Sequence, residues 1–470
     1  MTCKTFNSLT FILLITVNIF DNIQGLLKIY PVNNNFKERD KLLLTPYIKN
    51  GKFNEAKKLA AVNHEEMLGI ESFSGYLTVN EQHNSNLFFW FFPSQIESQS
   101  APVILWLPGD PGTSALSGLF LEIGAFRVGR NKVLEMREYN WNKNHNVLYI
   151  DSPVGTGYSF TDDEEGFSKN ETQIYEDLYA GLVQFFKLFS ELQGNDFYVT
   201  GESYAGKYVP GFSYEIHKKN PTAEIKINLK GLIIGSGYID PVNQFNHSNY
   251  FYQTGLVDFH GRDEFREYEK KALGFFSENK YEDVLEIYNI LFSRDSNPPC
   301  LFKNLTGLNL PLNLVRNEDI NDELDSMTEW LQRPDTKRAL HVGNNSFNEF
   351  SSKVKNNLKH EFMKSQANKL AAVLSQYKVL LYNGQLDTFT PYSLIPGVII
   401  NLQWSGVDDY KKAKRNLWRV DDELAGYIKV AHNLTEVLVR KAGHMVPADE
   451  PKWVLNLITQ FTHHKTITYN

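Results

Sequence analysis

The stretch FYVTGESYAGKYVP, residues 197–210, decides how the rest of the chain is read. Residues 197–200 form a strand-length apolar run, and Gly-x-Ser-x-Ala-Gly follows at Gly201, Ser203, Ala205 and Gly206. A helix can begin directly afterwards. A strand that turns this sharply into a helix projects the serine hydroxyl above the strand end, where it can act as a nucleophile. Gly201 and Ala205 are small enough for the backbone to double back with few side-chain clashes. The generic pattern closes on glycine where this chain has Ala205. Alone, Gly-x-Ser is also an ordinary strand-ending turn, so the surroundings carry the weight.

Outward from this turn, short apolar runs recur at residues 74–79, 86–92, 103–107, 147–150, 229–234, 377–382 and 435–440. Several are apolar almost throughout, which predicts strands covered on both faces in a mostly parallel sheet. Between them, ETQIYEDLYAGLVQFFKL (171–188) repeats apolar residues at three and four spacing, with Asn170 placed as its N-cap. Strands alternating with helices predict an α/β fold. From about 238 to about 364 the pattern changes to charged, helix-period sequence such as GRDEFREYEKKALGFF and YEDVLEIYNILF. This predicts a helical cap inserted into one α/β domain, with a second independent domain as the alternative.

A serine hydroxyl is a poor nucleophile until a base removes its proton. Two candidates lie downstream, each just past a strand: Asp387 in LLYNGQLDTFTP and His444 in VLVRKAGHMVP. Open α/β sheets place their sites at the C-terminal ends of strands. The chain order serine, acid, histidine is that of the α/β-hydrolase fold. An isolated Asp after a strand is a turn residue and an isolated His is usually structural. Three such residues at three strand exits, in this order, predict a catalytic triad of Ser203, Asp387 and His444.

The motifs GYLTV, LFFWFFPS, LWLPGDPGTSAL, GLFLEIGAF, WNKNHNVLYIDSPVGTGYSFTDD, NDFYVTGESYAGKYVP, YKVLLYNGQLD and AGHMVP lie within a stretch from about Phe73 to about Phe461. With them the chain resembles the serine carboxypeptidases, above all the vitellogenic and vitellogenic-like members. The resemblance implies Ser203 as nucleophile, His444 as general base and acid, and Asp387 as the carboxylate that orients it. It also implies that Glu122 and Glu202 recognise the free C-terminal carboxylate of a peptide. Two adjacent carboxyls cannot both ionise cheaply, so one keeps a proton to give to the substrate, which implies an acidic working pH. The family's substrate loop, Trp-Leu-Asn-Gly-Gly-Pro-Gly, reads Trp106-Leu107-Pro108-Gly109-Asp110-Pro111-Gly112 here. By resemblance Trp106 and Gly109 line the substrate site, and the backbone N–H groups of Asp110 and Tyr204 form the oxyanion hole. Two departures stand out: Pro108 lacks the side-chain amide that helps hold the carboxylate, and Asp110 brings a negative charge to where an oxyanion develops. Losing one oxyanion donor costs about 3 kcal/mol in other serine hydrolases.

Three readings follow. The first is a carboxypeptidase that releases single C-terminal residues through an acyl-enzyme, with peptide or protein C-termini as partners. The second is a slow or inactive relative that binds peptides. The third is an acyltransferase or esterase on the same scaffold.

Composition limits the alternatives. A chain of 470 residues with 42% hydrophobic content can bury a large core, and its net charge of −7 argues against nucleic-acid binding. No cofactor or metal is expected: His64-Glu65-Glu66 and His360-Glu361 lack the second histidine of a zinc motif, and Gly155-Thr156-Gly157 belongs to a family motif rather than to a phosphate loop. Lys4 followed by an apolar run over 9–20 predicts a signal peptide over residues 1–25, and no later segment is long enough for a membrane anchor. Cleavage would remove Cys3 and leave Cys300 as the single thiol, expected in a surface loop after Pro298 and Pro299. Sequons at Asn170, Asn246, Asn304, Asn344 and Asn433 agree with a secreted or lysosomal-type glycoprotein.

Overall fold

The computed structural model describes residues 40–63, 65–293, 297–317, 320–465 and 467. The proposed signal peptide and Cys3 lie outside them. The strands are β1 (Phe73–Asn80), β2 (Ser85–Phe92), β3 (Val103–Leu107), β4 (Phe126–Val128), β5 (Leu134–Met136), β6 (Asn146–Ile150), β7 (Phe197–Glu202), β8 (Leu229–Gly235), β9 (Lys378–Gly384), β10 (Asn416–Val420), β11 (Glu423–Ala431) and β12 (Leu434–Val439). Ten of them form one sheet in the order β1-β2-β6-β3-β7-β8-β9-β12-β11-β10. The central run from β6 to β12 is parallel, and antiparallel strands flank it on both sides. This is the α/β-hydrolase arrangement, and the apolar runs of the sequence fall on its strands.

Side chains alternate across each strand, so even a continuous apolar run supplies two cores. Phe89, Phe91, Leu105, Val199, Leu232 and Leu381 face one cluster, while Phe88, Trp90, Ile104, Tyr198, Ile233 and Leu380 face the other. Helix α1 (Glu171–Leu188) covers the first face with Ile174, Leu178, Leu182 and Phe185. Removing the Phe185 side chain would cost about 3–5 kcal/mol in lost burial and cavity formation. The helix starts where the sequence places it, because Asn170 Oδ1 accepts the Gln173 N–H at 2.9 Å. Helix α2 (Ala205–Lys219) follows the β7 turn and buries Val209, Phe212 and Ile216 beside α1.

Between β8 and β9 the named elements of the described residues are helical. Two of them, α3 (Phe259–Ser277) and α4 (Tyr281–Phe292), pack on each other. Val284, Ile287 and Leu291 put an apolar stripe on α4 at helical spacing. Helices α5 (Ser352–Leu358) and α6 (Ala367–Leu374) return the chain to β9. The segment is tied to the sheet's C-terminal edge by backbone bonds: Leu314 N–H to Leu386 O at 2.7 Å, His444 N–H to Leu312 O at 2.7 Å, and Ser351 N–H to Gly112 O at 2.8 Å.

Two features differ from the sequence reading. Strands β10 and β11 extend the sheet where no strands are expected, joined at Asp421 and Asp422 with φ 48° and 66°. Two consecutive residues of positive φ make the tight hairpin turn that matches strand twist. Cys300 is buried at 5% exposure rather than on the surface, because Leu301 and Phe302 beside it enter the core.

Candidate active site

The corner after β7 is built from backbone constraint. Ser203 has φ 59°, in the left-handed region that costs a non-glycine residue about 1–2 kcal/mol. Three backbone bonds hold it: Ser203 N–H to Gly235 O at 3.0 Å, and Ser203 O accepting from Gly206 at 2.9 Å and Tyr238 at 2.8 Å. A Cβ on Gly201 would lie 2.4 Å from Ala205 Cβ, and one on Gly206 would lie 2.8 Å from Tyr238 N. The small residues of the motif are therefore packing requirements of the turn.

Asp387 and His444 meet at the exits of β9 and β12. His444 Nδ1 lies 3.0 Å from Asp387 Oδ2, with both side chains buried. An ionised carboxylate only accepts, so Nδ1 carries a proton directed at Asp387, which fixes the orientation of the ring. Asp387 Oδ1 accepts the N–H groups of Phe389 and Thr390, and Oδ2 accepts the Thr390 hydroxyl at 2.8 Å. Burial would raise the Asp387 carboxyl, but His444 and the Thr390 bonds outweigh it and hold it below the usual range. Residues 235–236 join the three strand exits. Gly235 O takes the Ser203 N–H, Ser236 Oγ donates to His444 O at 2.8 Å, and Thr390 Oγ1 also lies 2.8 Å from Ser236 O, which its one proton can serve in place of Asp387. Thr390 and Ser236 have no signature in the sequence beyond the spacing of Thr390, three residues after Asp387.

Glu122 and Glu202 come together as a pair. Glu202 ends β7 directly before Ser203, and Glu122 lies in a widened helical turn, Leu119–Ile123, of the kind frequent at functional sites. Arg137 steadies that turn by donating to Phe120 O at 2.6 Å and Gly124 O at 3.2 Å. Both carboxyls are buried, and Oε2 of each has no hydrogen-bond partner among the described residues. Burial pushes Glu122 up to about 7, and burial together with Glu122 raises Glu202 well above the carboxylate range. Two full charges in contact repel by about 4 kcal/mol even at the screening of a protein surface, so the pair holds a proton.

The substrate loop differs from the expectation. The Tyr204 N–H donates to Gly109 O at 3.0 Å. The carbonyl and N–H of a trans peptide point in opposite directions, so the Asp110 N–H points away from Tyr204. Asp110 and Tyr204 thus do not present the two converging donors of an oxyanion hole in this conformation. The loop is held by a turn in which Thr113 N–H bonds Asp110 O at 3.1 Å, with Pro111 second and Gly112 third at φ 91°. Asp110 pairs with Lys355 of α5 at 3.6 Å. Burial raises its carboxyl and Lys355 opposes the rise. Gly109 does abut Ser203: a Cβ there would lie 3.4 Å from Ser203 Cβ and 3.2 Å from Glu202 O. Trp106 is a correction of another kind. It is 2% exposed and packs edge-on to Trp141 at 5.7 Å and against Gly118. It therefore supports the turn that carries Glu122 instead of lining the cleft.

Of the sequons, Asn170, Asn246, Asn304 and Asn344 are exposed. Asn433 is half-buried, and its Nδ2 donates to Leu374 O at 3.0 Å. No helix among the described residues is long and apolar enough to cross a membrane.

Comparison with known proteins bears on this geometry. A family model described as serine carboxypeptidase matches residues 63–464. The venom serine carboxypeptidase of Apis mellifera is 51% identical over 90% of this chain and 91% of its own. The vitellogenic carboxypeptidase of Aedes aegypti is 42% identical over 90% of each. The Homo sapiens protein named probable serine carboxypeptidase CPVL is 41% identical over 90% of each. Among solved structures, Kex1, a prohormone-processing carboxypeptidase from Saccharomyces cerevisiae, superposes with a TM-score of 0.73 at 24% identity, over 88% of this chain and 98% of that one.

Proposed function

The chain belongs to the serine carboxypeptidase family and is a serine-type carboxypeptidase, and from that premise we propose that it releases single C-terminal residues from peptides through an acyl-enzyme on Ser203, at mildly acidic pH and in the secretory route. The observation that carries this reading is the buried carboxyl pair of Glu122 and Glu202, with Glu202 one residue before the positive-φ Ser203. A protonated carboxyl pair can donate to a peptide's terminal carboxylate and so places the last peptide bond over Ser203. His444 Nε2 takes the Ser203 proton as Oγ attacks the carbonyl carbon, and Asp387 holds the imidazole and steadies the cation that forms. The C–N bond breaks, and His444 gives the proton to the departing amine. Water then attacks the acyl-enzyme with the same base and frees both the shortened peptide and Ser203. The venom and vitellogenic relatives support a secretory route, as do the four exposed sequons.

A second reading, a slow relative that mainly binds peptides, is favoured by one observation: the Tyr204 N–H is engaged by Gly109 O. One experiment separates the readings. The purified protein is treated with a fluorophosphonate, then assayed on a peptide with a free C-terminus, its amide and an ester. We expect labelling that is lost in Ser203→Ala, and turnover of the free-terminus peptide over its amide. Labelling with ester turnover only would favour an esterase. Absent labelling would remove Ser203 from the mechanism.

A further inference from the structure

Behind the nucleophile corner lies a charged cluster that the mechanism above leaves unused. Lys207, in the first turn of α2, is fully buried and pairs with Glu171 Oε1 at 3.0 Å. Its ammonium also reaches Tyr204 Oη at 3.0 Å, Glu361 O at 2.5 Å and Phe362 O at 3.2 Å. Glu171, the first residue of α1, accepts from the Tyr204 hydroxyl at 3.1 Å, from the Tyr175 hydroxyl at 3.1 Å and from Gln366. The Tyr204 ring stacks on Phe362 with centroids 4.9 Å apart. Two helices and the segment that returns the chain to β9 therefore converge on one side chain, that of the residue following Ser203.

A buried ion pair contributes little net stability compared with an apolar pair of the same volume, because both charges lose their hydration. What it does impose is geometry: every lone pair and proton must point at its partner. Here that geometry ends on the Tyr204 hydroxyl, and the backbone N–H of the same residue faces Gly109 and the substrate loop.

We infer that Lys207 and Glu171 are positioning residues for the acylation step: by fixing the Tyr204 side chain at its hydroxyl, they fix where the Tyr204 N–H stands, one residue from Ser203 and bonded to Gly109 O in this conformation. The inference rests on Ser203 being the nucleophile, so the test reads that step directly. Phosphonylation by a fluorophosphonate forms the Ser203 Oγ–P bond with loss of fluoride, and the probe carries no C-terminal carboxylate. Its rate therefore reports the nucleophile and the donors around it, not recognition by Glu122 and Glu202.

Tyr204→Phe removes the hydroxyl link and keeps the ring on Phe362. In the full-length protein we expect its phosphonylation rate and its kcat on a free-terminus peptide to fall together by about tenfold, short of the roughly hundredfold cost of a fully misplaced group, with KM changed by less than about twofold. The paired variant Lys207→Met with Glu171→Gln removes both charges and should show the same split. Where that variant does not yield folded protein, Tyr204→Phe decides alone. If folded Tyr204→Phe keeps both rates within about twofold of the parent, the cluster only joins elements together and the inference fails. If the parent itself is not labelled, it is the assignment of Ser203 that fails.

Discussion

Asp110 follows Gly109, whose carbonyl takes the N–H of the residue after Ser203, so its effect on the proposed chemistry is carried by the backbone as much as by its charge. The Gly109–Asp110 peptide presents its carbonyl to Tyr204. Turning that peptide over would free the Tyr204 N–H and bring the Asp110 N–H round beside it. Such a turn drives the following residue toward positive φ, which glycine accepts and a residue with a Cβ resists. Asp110→Gly should therefore raise kcat, and Asp110→Asn should give part of the gain by removing charge while keeping the Cβ. An unchanged kcat in Asp110→Gly at every pH would show that the hole forms by another movement. Pro108→Asn restores a side-chain amide and should act on KM. Recognition makes a separate prediction. Glu122 holds its proton up to about pH 7, so the KM of a free-terminus peptide should rise between pH 6 and 8. In Glu202→Gln, which stays neutral, that rise should be smaller, and the amidated peptide should show none. Ser203, Asp387, His444 and Glu202 are legible in the sequence because each sits in a motif at a strand end, and Glu122 because its motif forms a helical turn. The engaged Tyr204 N–H is not, because the side-chain pattern does not say which way a peptide plane faces. Trp106 illustrates the same gap: a motif residue beside a site can serve the site from the core.

Elements follow from sequence where apolar pattern and capping agree. The bounds of α1 coincide with the periodic run and its Asn170 cap, and β3 coincides with its apolar run. Strands β10 and β11 escape because β10 is the edge strand, β11 lies next to it, and both carry exposed residues among their buried ones. Arg419, Glu423 and Lys429 interrupt their apolar residues, although Asp421-Asp422 between two alternating runs is the signal that marks them. The helical segment between β8 and β9 is legible as a change of period. Its hold on the loops of Asp387 and His444 through Leu314 and Leu312 is not, since backbone bonds over such separations leave no pattern. Asn170 belongs to this scale twice, as helix cap and as sequon. Glycosylation uses Nδ2 and capping uses Oδ1, so the two roles are compatible. Asn170→Ala should lose both, lowering stability by about 1 kcal/mol in urea unfolding. Asn170→Asp should lose the glycan and keep the cap. Asn433→Gln should leave the glycosylated mass unchanged, because that side chain is half-buried and its Nδ2 is already bonded. A mass loss of one glycan in that variant would mean that the Asn433–Leu374 contact opens during maturation.

At the scale of the molecule, buried ionisable groups set the pH range in which the fold is most stable, and their signs oppose. Glu122 has its folded pKa raised from 4.5 to about 7 by burial. Between these values the folded state holds a proton that the unfolded state has released, so this contribution is full below 4.5 and is lost as pH rises through about 7. Glu202 acts in the same direction. His145 is buried against Thr462 and His463, and burial lowers it from 6.5 to about 3. Between these values the unfolded state takes up a proton that the folded state refuses, so stability falls as pH drops below 6.5. Asp387, held below its ordinary value, adds to the acid-side loss. Over about pH 4.5–6.5 the two trends offset each other, outside that window one of them is unopposed, and Tm should therefore peak within it. Glu202→Gln should flatten the alkaline limb, because it removes the carboxyl of Glu202 itself, which burial and Glu122 raise. His145→Gln should flatten the acid limb if Thr462 still finds a partner. A Tm that climbs steadily from pH 5 to 8 would contradict the sign assigned to the glutamate pair, and with it the physical basis for recognising a terminal carboxylate at acidic pH. A Tm that instead peaks inside this window would make the range in which the fold is most stable coincide with the range in which the pair keeps its proton, so that the same buried carboxyls bear on both stability and substrate recognition.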